Sequence, residues 1–446
     1  MQIFCTLAIA AKRASVTIVS AADLQADYTI FHAAFSALHP GLLRYNTAGQ
    51  IAQHFTTLNQ ALSHAQSLPD AFLRYFEFVA RVHCAHSYLN CTNQPAAVAA
   101  QVFSTTSVPF QFRWIDRQMI VTRNATELAP LVPGTHILAI DGHVVTDMLV
   151  RLLPIARANG ANDAKRIDMQ QVQGADPIET FDVYYPLYFP SQHSTTLRFI
   201  PPGKTRVQIA ALARIAPVER ERRLASTMPA ALPDQPAWRT DFRVDGVAVL
   251  TMPSWAFLIA NATGRRKADL SMTFGKLASA QVKHLIIDLR ANEGGLSVGN
   301  EIIAQLVEQD IPLQQAVKKV RYRRVAEALA PFLDTWDPSF KDWGEPASSN
   351  GDGAYRLDSA ATDDTVIHPQ APHIGWMVSV LVGARNSSAI FEFAQLIRHQ
   401  RRGRLIGQPT GGNQRGINGG AFFFLRLPHT GIEVDLPIIG VFPLQP

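Results

Sequence analysis

The stretch that decides the fold is Val378-Ser-Val-Leu-Val382, followed by Gly383-Ala-Arg-Asn386 and then Ser387-Ser388-Ala389. The first five residues form the largely apolar run of a buried strand, the next four predict a turn, and a helical pattern follows at once. This order of strand, sharp turn with serine and helix is how α/β enzymes present a nucleophile, because the helix N-terminus favours developing negative charge. Ser388 is therefore the first candidate for chemistry.

A second informative stretch is His284-Leu-Ile-Ile-Asp288-Leu-Arg-Ala-Asn292-Glu-Gly294-Gly295. It has the apolar pattern of a buried strand and ends in a pair of glycines where a helix is expected to begin. Glycines allow backbone N–H groups to approach a ligand closely, as a site that stabilises an oxyanion requires. Gly294 and Gly295 are therefore candidates for such a site.

Around these two stretches, strand and helix patterns alternate from Val244 onward. The strand patterns are Gly246–Met252, His284–Leu289, Trp376–Val382 and Arg404–Ile406, and the helix patterns are Ala268–Ala278, Val298–Glu308 and Ala389–Gln400. Such alternation predicts an α/β layer with a largely parallel sheet. A lobe at Pro312–Pro369 interrupts the alternation, and it is either an insertion that covers substrate or a surface loop.

The first half of the chain is organised differently. Residues 22–80 place apolar side chains at helical spacing and predict three helices. Val108–Arg113 and Met119–Arg123 predict strands, and the run from Gly134 to Val145, with Asp-Gly at its centre, predicts a hairpin. This half therefore predicts helices followed by a small β domain.

Residues 166–240 are polar and rich in Pro, Arg and Gln, with strand-like fragments at Thr180–Leu187 and Thr196–Phe199. They predict a loosely packed connecting region. Together these patterns divide the chain into an N-terminal helical segment at 22–100, a β domain at 101–165, the connection at 166–240, and an α/β core at 241–446 with an insertion at 312–369.

Composition narrows the class of protein. A chain of 446 residues with 47% apolar and 17% charged residues is an ordinary folded protein of two or three domains. The 41 Lys and Arg against 36 Asp and Glu give a net charge of +5, but the basic residues are scattered and have no aromatic platform among them. We expect no nucleic-acid partner, no metal or other cofactor, and no integral membrane span, while the oligomeric state is left open.

The N-terminus allows two interpretations. Residues 1–21 combine an apolar start, Lys12-Arg13 and a short run of small residues with a possible cleavage point after Ser20. They form either a weak export signal, which would make the protein periplasmic or secreted, or a misplaced start of a cytoplasmic protein. Cys84 and Cys91 are either two buried thiols or a disulfide pair in an oxidising compartment.

A serine nucleophile needs a base, because its hydroxyl is almost never ionised at neutral pH, and histidine is the usual partner. Among 14 histidines, His86 has the best local context, since it follows a helix pattern and begins the strand-like run of Cys84-Ala-His-Ser-Tyr-Leu89. From the residues alone, His86 is either the base or a satisfied buried histidine.

Three blocks resemble the core of the C-terminal processing peptidases, also called tail-specific proteases, and their tricorn-type relatives. These blocks are Ile286–Gly295, Val380–Ala389 and Leu405–Gly412, in the order and approximate spacing of that family. The hairpin at 134–145 resembles the central hairpin of a PDZ domain, which captures chain ends. The resemblance implies a mixed α/β and α+β multidomain protein with a helical segment, a PDZ-like domain and a ClpP/crotonase-like core. It implies a serine-type peptidase with a polypeptide substrate.

The resemblance also implies roles for single residues. Ser388 matches the nucleophile, while Gly294, Gly295 and the N–H of Ala389 match the oxyanion hole. The serine–lysine members place their base where this chain has Asn413, and an amide accepts no proton at neutral pH. The tricorn-like branch uses a histidine from an N-terminal segment, in a context similar to Ala85-His86-Ser87, so the resemblance favours His86 as the base.

The remaining implied features are an acid and a polar wall. The tricorn-like branch orients its histidine with an acidic residue beyond the last core hairpin, and the sequence offers Glu433, Asp435 or Glu392, with Glu433 as the possible triad acid. Asn413 and Asn418 are expected to line the active site, or else to form a structural turn. Two other functions stay open: a binding protein of the same fold without catalysis, and an esterase that uses the same dyad.

Overall fold

The computed structural model describes residues 16–174, 179–190, 193–225, 238–255, 262–313, 316–351, 353–357, 365–373 and 375–444. Most of the proposed signal segment, residues 1–15, therefore lies outside the described residues. No helix among the described residues is long and apolar enough to cross a membrane.

The N-terminal segment forms the three predicted helices and a fourth. The elements are β1 (Ile18–Val19), α1 (Ala21–Leu38), α2 (Ala48–Ala61), β2 (Gln66–Ser67), α3 (Leu68–Arg81) and α4 (Ala96–Val102). The first three helices begin where a hydroxyl side chain accepts a hydrogen bond from the third residue along, at Ser20, Thr47 and Ser67. Ser20 is thus the N-cap of α1, and β1 pairs with β2. Cleavage after Ser20 would remove both features.

The next domain is a six-stranded antiparallel sheet with helices packed around it. Its elements are β3 (Phe110–Ile115), β4 (Gln118–Asn124), β5 (His136–Ile140), β6 (His143–Val144), α5 (Val145–Leu152), α6 (Asp163–Met169), α7 (Thr180–Tyr188), β7 (Ser194–Ile200), β8 (Gln208–Ala213) and α8 (Pro217–Ala225). The strand order is β3-β4-β5-β7-β8, with β6 paired to β5. The predicted hairpin is β5 and β6, joined by Asp141 and Gly142, which both have positive φ.

The sequence prediction for residues 166–240 differs from the structure. The described residues of this region are not a loose connection, because β7 and β8 complete the sheet of the preceding domain. Thr180–Leu187 is helical rather than extended, although the fragment at Thr196–Phe199 does lie in a strand. The physical reason is that Phe181, Tyr184 and Tyr185 recur at three- and four-residue spacing, so a helix buries all three on one face. Aromatic and β-branched residues in that stretch suggested a strand instead.

The rest of the chain contains the predicted α/β core, the lobe and a C-terminal hairpin. Its elements are β9 (Arg239–Phe242), β10 (Val247–Thr251), α9 (Ala262–Ser279), β11 (His284–Asp288), α10 (Val298–Leu306), β12 (Ile311–Pro312), β13 (Ala316–Val320), β14 (Leu333–Asp334), β15 (Ala347–Ser349), β16 (Tyr355–Leu357), β17 (Val366–Ile367), β18 (Met377–Val382), α11 (Ser388–His399), β19 (Arg404–Gly407), β20 (Ile417–Arg426) and β21 (Glu433–Pro443).

The predicted parallel sheet is confirmed. Its order is β19-β18-β11-β10-β9, in which the four strands β10, β11, β18 and β19 run parallel and β9 is antiparallel at one edge. The ends of β11 and β18 are therefore neighbours, which brings the two stretches singled out in the sequence together.

The lobe at 312–369 is built into a second sheet. Its strands β13, β14, β15 and β16 join the hairpin β20–β21 in the order β14-β20-β21-β13-β16-β15. Tyr322, Val325 and Leu329 of the lobe are buried in the same core as the hairpin. The lobe is therefore part of a sheet rather than a simple surface loop, and its first residues, Pro312 and Leu313, line a cavity beside α11.

Two hydrophobic cores organise the described chain. One lies around the parallel sheet and helices α9, α10 and α11. The other joins the N-terminal helices, the β domain and the hairpin β20–β21. The hairpin is fixed to α1 by the buried carboxylate of Asp27, which accepts hydrogen bonds from the backbone of His429 and from the backbone and hydroxyl of Thr430. Distant parts of the chain thus share one core.

Candidate active site

The turn before Ser388 is held by one buried amide side chain. Asn386 is completely buried, and its Oδ1 accepts a hydrogen bond from the N–H of Gly383 at 2.7 Å. Its Nδ2 donates to the carbonyl oxygens of Leu289 and Asn292, at 2.6 and 2.7 Å. Asn386 therefore ties the end of β18 to the loop that follows β11, so the nucleophile turn and the glycine loop have a fixed relation.

Ser388 itself has the geometry of a strained nucleophile turn. It is the first residue of α11, its φ is +50°, and its side chain is half-buried. A non-glycine residue in this left-handed region costs energy, and such residues cluster at functional sites. The preceding Ser387 holds the turn, since its N–H and its hydroxyl both donate to the carbonyl oxygen of Glu293.

The glycine pair lies against this turn. Gly294 has φ +137°, and a methyl group added to it would lie 3.0 Å from the Ser387 oxygen and 3.1 Å from the Ser388 Cβ. The same methyl position is 3.7 Å from the Ala389 nitrogen. Only glycine combines this backbone conformation with this closeness.

The backbone donors near Ser388 are not equivalent. The N–H of Gly294 donates to Asn292 Oδ1 at 3.0 Å, so it is occupied. The N–H of Gly295 makes no hydrogen bond with any described residue. Ala389 lies in the first turn of α11, where backbone N–H groups have no acceptor inside the helix. This corrects the sequence expectation for Gly294: its role is to permit close packing, and Gly295 and Ala389 supply the available donors.

The segment that carries His86 is fixed by polar contacts on both sides. The N–H of Ala85 donates to Asn159 Oδ1 at 3.0 Å, and Arg157 Nη1 donates to the Ala85 oxygen, also at 3.0 Å. The imidazole lies beside β20, where a methyl group added to Gly419 would be 3.9 Å from the ring. The hairpin packed on the N-terminal helices thus forms the wall behind His86.

His86 is held in its neutral form. Burial, together with the charge of Arg157, lowers its pKa to about 4, and the charge of Glu293 opposes the shift in part. The Nδ1 atom is buried and has no hydrogen-bond partner among the described residues. A neutral imidazole can accept a proton, so the electrostatic state suits a general base.

No hydrogen bond joins the His86 ring to the Ser388 hydroxyl in the described part of the chain. The two residues are instead linked through a cluster of charges at Glu293. Lys165 Nζ donates to Glu293 Oε1 at 2.7 Å and to the Arg385 oxygen at 3.0 Å, and Arg157 Nη2 lies 3.6 Å from the same carboxylate oxygen.

The charges in this cluster stabilise one another. Desolvation alone raises the pKa of Glu293, but the charges of Lys165 and Arg157 outweigh it and hold that pKa well below its ordinary value. The Lys165 side chain is 1% exposed, whereas the Glu293 side chain is 43% exposed. Burial lowers the pKa of Lys165, and the adjacent Glu293 carboxylate counteracts the shift.

Sequence reasoning missed Lys165 and Arg157. Both lie before or within α6, next to a region interpreted as a connection. One lysine in a short polar helix pattern looks like a solvated residue, and its burial depends on a carboxylate 128 positions away. No local signal in the sequence identifies such a residue. The sequence did contain a local indication of Asn386, because it lies between the strand and the serine. The hydrogen bonds of its side-chain amide were not predicted.

None of the three candidate acids contacts His86. Glu433 pairs with Arg426 at 2.8 Å, and burial raises its pKa although Arg426 opposes this. Asp435 accepts hydrogen bonds from two asparagines, Asn90 and Asn93, both at 3.1 Å. Glu392 lies one helical turn after Ser388 and has no ion pair or hydrogen bond with a described residue. The structure therefore does not bring Glu433 to the histidine.

The two expected wall residues have different positions. A cavity of about 580 Å³ is lined by Ser388, Glu392 and other residues of α11, and by Asn413 from the loop between β19 and β20. Asn413 thus lies in the wall, as expected. Asn418 does not: it is 1% exposed, and its side chain contacts Arg44 at 2.7 Å and Cys84 at 3.4 Å. The β-strand alternation of β20 turns Asn418 into the protein. Cys84 and Cys91 are both free thiols.

Comparison with known proteins gives a family and a fold. Residues 246–420 match the sequence model of Peptidase family S41. No curated protein matches the chain in sequence. The structure of mature CPAF complexed with lactacystin is 14% identical, with a TM-score of 0.62, over 95% of this chain and 91% of that chain. A CPAF mutant is 15% identical, with a TM-score of 0.60, over 95% and 90% of the two chains.

A third similar structure, the photosystem II D1 C-terminal processing protease, is 13% identical over 94% of this chain and 88% of that chain, with a TM-score of 0.40. A TM-score of 0.40 is too low to establish a shared fold. The two CPAF structures, with TM-scores of 0.62 and 0.60, do establish one. The residues matched by the family model run from the start of β10 into β20, and they include the glycine pair and Ser388. Residues 246–420 are therefore similar to Peptidase family S41, and the chain shares the fold of the CPAF structures.

Proposed function

We propose that Ser388 is the nucleophile, that His86 is the general base, and that the N–H groups of Gly295 and Ala389 stabilise the oxyanion. The observation that carries this proposal is the position of Ser388 at a left-handed φ of +50°, beside a glycine loop with a free N–H. A hydroxyl at the N-terminus of a helix, next to unpaired backbone donors, suits acyl transfer.

In the proposed reaction, Ser388 Oγ attacks the scissile carbonyl carbon while its proton passes to His86 Nε2. The carbonyl oxygen becomes an oxyanion held by the two N–H groups. Collapse of this tetrahedral intermediate breaks the C–N bond, and His86 returns the proton to the leaving amine. Water then attacks the acyl-enzyme with His86 again as base, which releases the second product and restores the Ser388 hydroxyl.

This mechanism requires a movement of His86 relative to Ser388, because no hydrogen bond joins them in the present arrangement. Hydrogen bonds between catalytic groups are often long or absent without substrate and form in the complex. A second requirement concerns Nδ1. When Nε2 is the base, Nδ1 carries a hydrogen, and burying that N–H without an acceptor costs roughly 1–3 kcal/mol. We infer that substrate binding brings the ring to Ser388 and supplies an acceptor to Nδ1.

The substrate site is the cavity beside α11. Its lining combines the apolar side chains of Leu313, Leu396 and Ile417 with polar groups such as Asn413. A second cavity of about 680 Å³ shares Phe391, Gly412 and Asn413 with the first. The two cavities therefore adjoin at these residues, and together they offer room for an extended polypeptide rather than a small ester.

Active-site labelling tests the assignment. We expect a fluorophosphonate probe to label the wild-type protein and to fail on Ser388→Ala, with peptide hydrolysis reduced by about 10⁴-fold or more. Ser387→Ala is the control for the labelled position: its hydroxyl holds the turn through the Glu293 oxygen, so this variant should still be labelled, at a lower rate. Labelling that survives in Ser388→Ala would reject Ser388 as the nucleophile. Peptide binding by folded wild-type protein without labelling or hydrolysis would favour the non-catalytic alternative.

A further inference from the structure

The charged cluster at Glu293 touches all three segments of the proposed machinery. Glu293 directly precedes Gly294, and its backbone oxygen accepts hydrogen bonds from Ser387, next to the nucleophile. Its carboxylate contacts Lys165, which also donates to the Arg385 oxygen in the nucleophile turn. One residue is thus bound to the glycine loop and to the serine turn at once.

The third connection leads to His86. Arg157 lies 3.6 Å from the Glu293 carboxylate, and it donates to the backbone oxygen of Ala85, the residue before His86. Its guanidinium also lies over the ring of Tyr88, 4.4 Å from the centroid. Arg157 therefore couples the position of the histidine segment to the same carboxylate that Lys165 holds.

Burying the charged groups of this cluster costs free energy, which argues against an incidental surface ion pair. The Lys165 side chain is 1% exposed and the Arg157 side chain is 22% exposed. Burying an ammonium group costs several kcal/mol unless its charge is paired and its donors are satisfied. Both cations come from outside the parallel-sheet core, and both converge on one carboxylate next to the oxyanion loop.

We propose that Glu293, with Lys165 and Arg157, is a positioning device that sets the distance and the relative orientation of His86, the oxyanion loop and Ser388. This inference rests on the proposed function. None of the three residues is assigned a contact with the reacting atoms, so each acts through a neighbour. Lys165 and Glu293 fix the serine turn against the glycine loop, and Arg157 fixes the histidine segment against both.

A substitution in this cluster has two separate effects, one on the geometry of the site and one on the charge near His86. Removing either partner loosens the geometry, and a misplacement of about 1 Å can cost on the order of 100-fold in rate. Each removal also changes the charge near His86. Glu293 raises the pKa of His86, whereas Lys165 and Arg157 lower it. Loss of the carboxylate and loss of the ammonium must therefore shift the pH dependence of activity in opposite directions.

The experiment compares Glu293→Gln and Lys165→Met with the wild type, using kcat, KM and the pH profile of kcat/KM on one peptide substrate. We expect each substitution to lower kcat by about tenfold to 100-fold, with a smaller change in KM. The midpoint of the acid limb should fall in Glu293→Gln and rise in Lys165→Met. The double variant should lose less than the product of the two single losses, because both act through one contact.

A matched control removes a nearby ion pair that does not reach the site. Arg290 pairs with Asp288 at 2.7 Å and its side chain is 64% exposed, so Arg290→Met should change kcat by less than about twofold. Circular dichroism and thermal unfolding establish that each variant is folded. Should Lys165→Met fail to fold, Glu293→Gln carries the test, because an amide replaces a partly exposed carboxylate of the same shape.

Two results would overturn the inference. One is a change in kcat of less than about twofold in folded Glu293→Gln, and the other is a shift of the acid limb in the same direction in both variants. Both outcomes leave Ser388 labelling intact and so leave the proposed function standing. Absence of fluorophosphonate labelling in the wild type would instead reject the proposed function, and the positioning role with it.

Discussion

Ser388 lies on the core of the parallel sheet, whereas the segment of His86 lies on the core shared by the N-terminal helices and the C-terminal hairpin. The serine side is built from contacts along two adjacent strands, with Asn386 and Asn292 joining the turns at their ends. The histidine side depends on packing between segments hundreds of residues apart. The comparison teaches that the proposed nucleophile is positioned by contacts between neighbouring strands, while its proposed base is positioned by packing between distant segments.

This difference explains why the turn that carries Ser388 is fully formed, whereas no hydrogen bond joins Ser388 to His86. The turn before Ser388 is fixed by hydrogen bonds to the loop after the neighbouring strand β11, so this half of the site forms as soon as β11 and β18 pair. His86 has no hydrogen bond to the serine, and its Nδ1 has no partner among the described residues. The boundary between the two cores is therefore where we expect movement during catalysis.

The largest loss of activity is expected when the proposed base, on the histidine side of the site, is removed. We expect His86→Ala to lower kcat by about 10⁴-fold or more, since base and nucleophile act as a unit. The pH profile gives a second readout. With a pKa of about 4, His86 is protonated and inactive below that pH and becomes a competent base as pH rises through it. The acid limb of kcat/KM in the wild type should have its midpoint well below 6.5.

His429→Ala is the control for this prediction, because its ring is partly exposed, pairs with Asp23 at 3.1 Å and lines neither cavity. A wild-type acid limb centred near 6.5 would mean that the base is an exposed histidine. Retention of activity in His86→Ala would show that the two cores do not share the catalytic residues, because the parallel-sheet core alone would then carry catalysis.

A change confined to the serine side should have an intermediate effect. Gly294→Ala places a methyl group 3.0 Å from the Ser387 oxygen and 3.1 Å from the Ser388 Cβ, at a φ of +137°. We expect kcat to fall by about 100-fold because the nucleophile must move. Gly203→Ala provides the control, since it has φ +70° with open space around it and so suffers only the backbone strain. Equal activity in both variants would show that the glycine loop tolerates displacement.

The smallest expected effect concerns the acid that the sequence suggested. Glu433 pairs with Arg426 and makes no contact with His86, so Glu433→Gln should change kcat by less than about threefold. The measurement is kcat/KM as a function of pH, with Arg426→Met as the control that removes the same ion pair. A loss above tenfold in Glu433→Gln alone, together with a shifted acid limb, would show that Glu433 reaches His86 during turnover.

The sequence predicted much of the parallel-sheet region because the signals there are local. Apolar strand runs, the glycine pair and the serine after a turn each lie within about a dozen residues, and the structure places them on neighbouring strands. The three N-terminal helices were predicted for the same reason, through apolar residues at helical spacing, and the structure adds the hydroxyl caps. The ends of β11 and β18 lie together because parallel neighbours end at the same edge of a sheet.

Features that depend on distant contacts were not predicted. Thr180–Tyr188 forms a helix because it buries three aromatic side chains against a sheet completed by later strands. Asn418 faces inward because Arg44, 374 positions away, needs its oxygen. Neither the helix nor the orientation of the asparagine has a decisive local pattern, since burial is decided by what packs on the other side.

By itself the sequence determined the nucleophile turn, the glycine loop and the α/β order of the core, since each depends on backbone preferences and on apolar periodicity within a short segment. Only the tertiary structure decided which N–H groups are free, which lysine is buried and which carboxylate holds it. The physical reason is that hydrogen bonds and charges gain their strength from burial, and burial is a property of the whole assembled chain rather than of any segment.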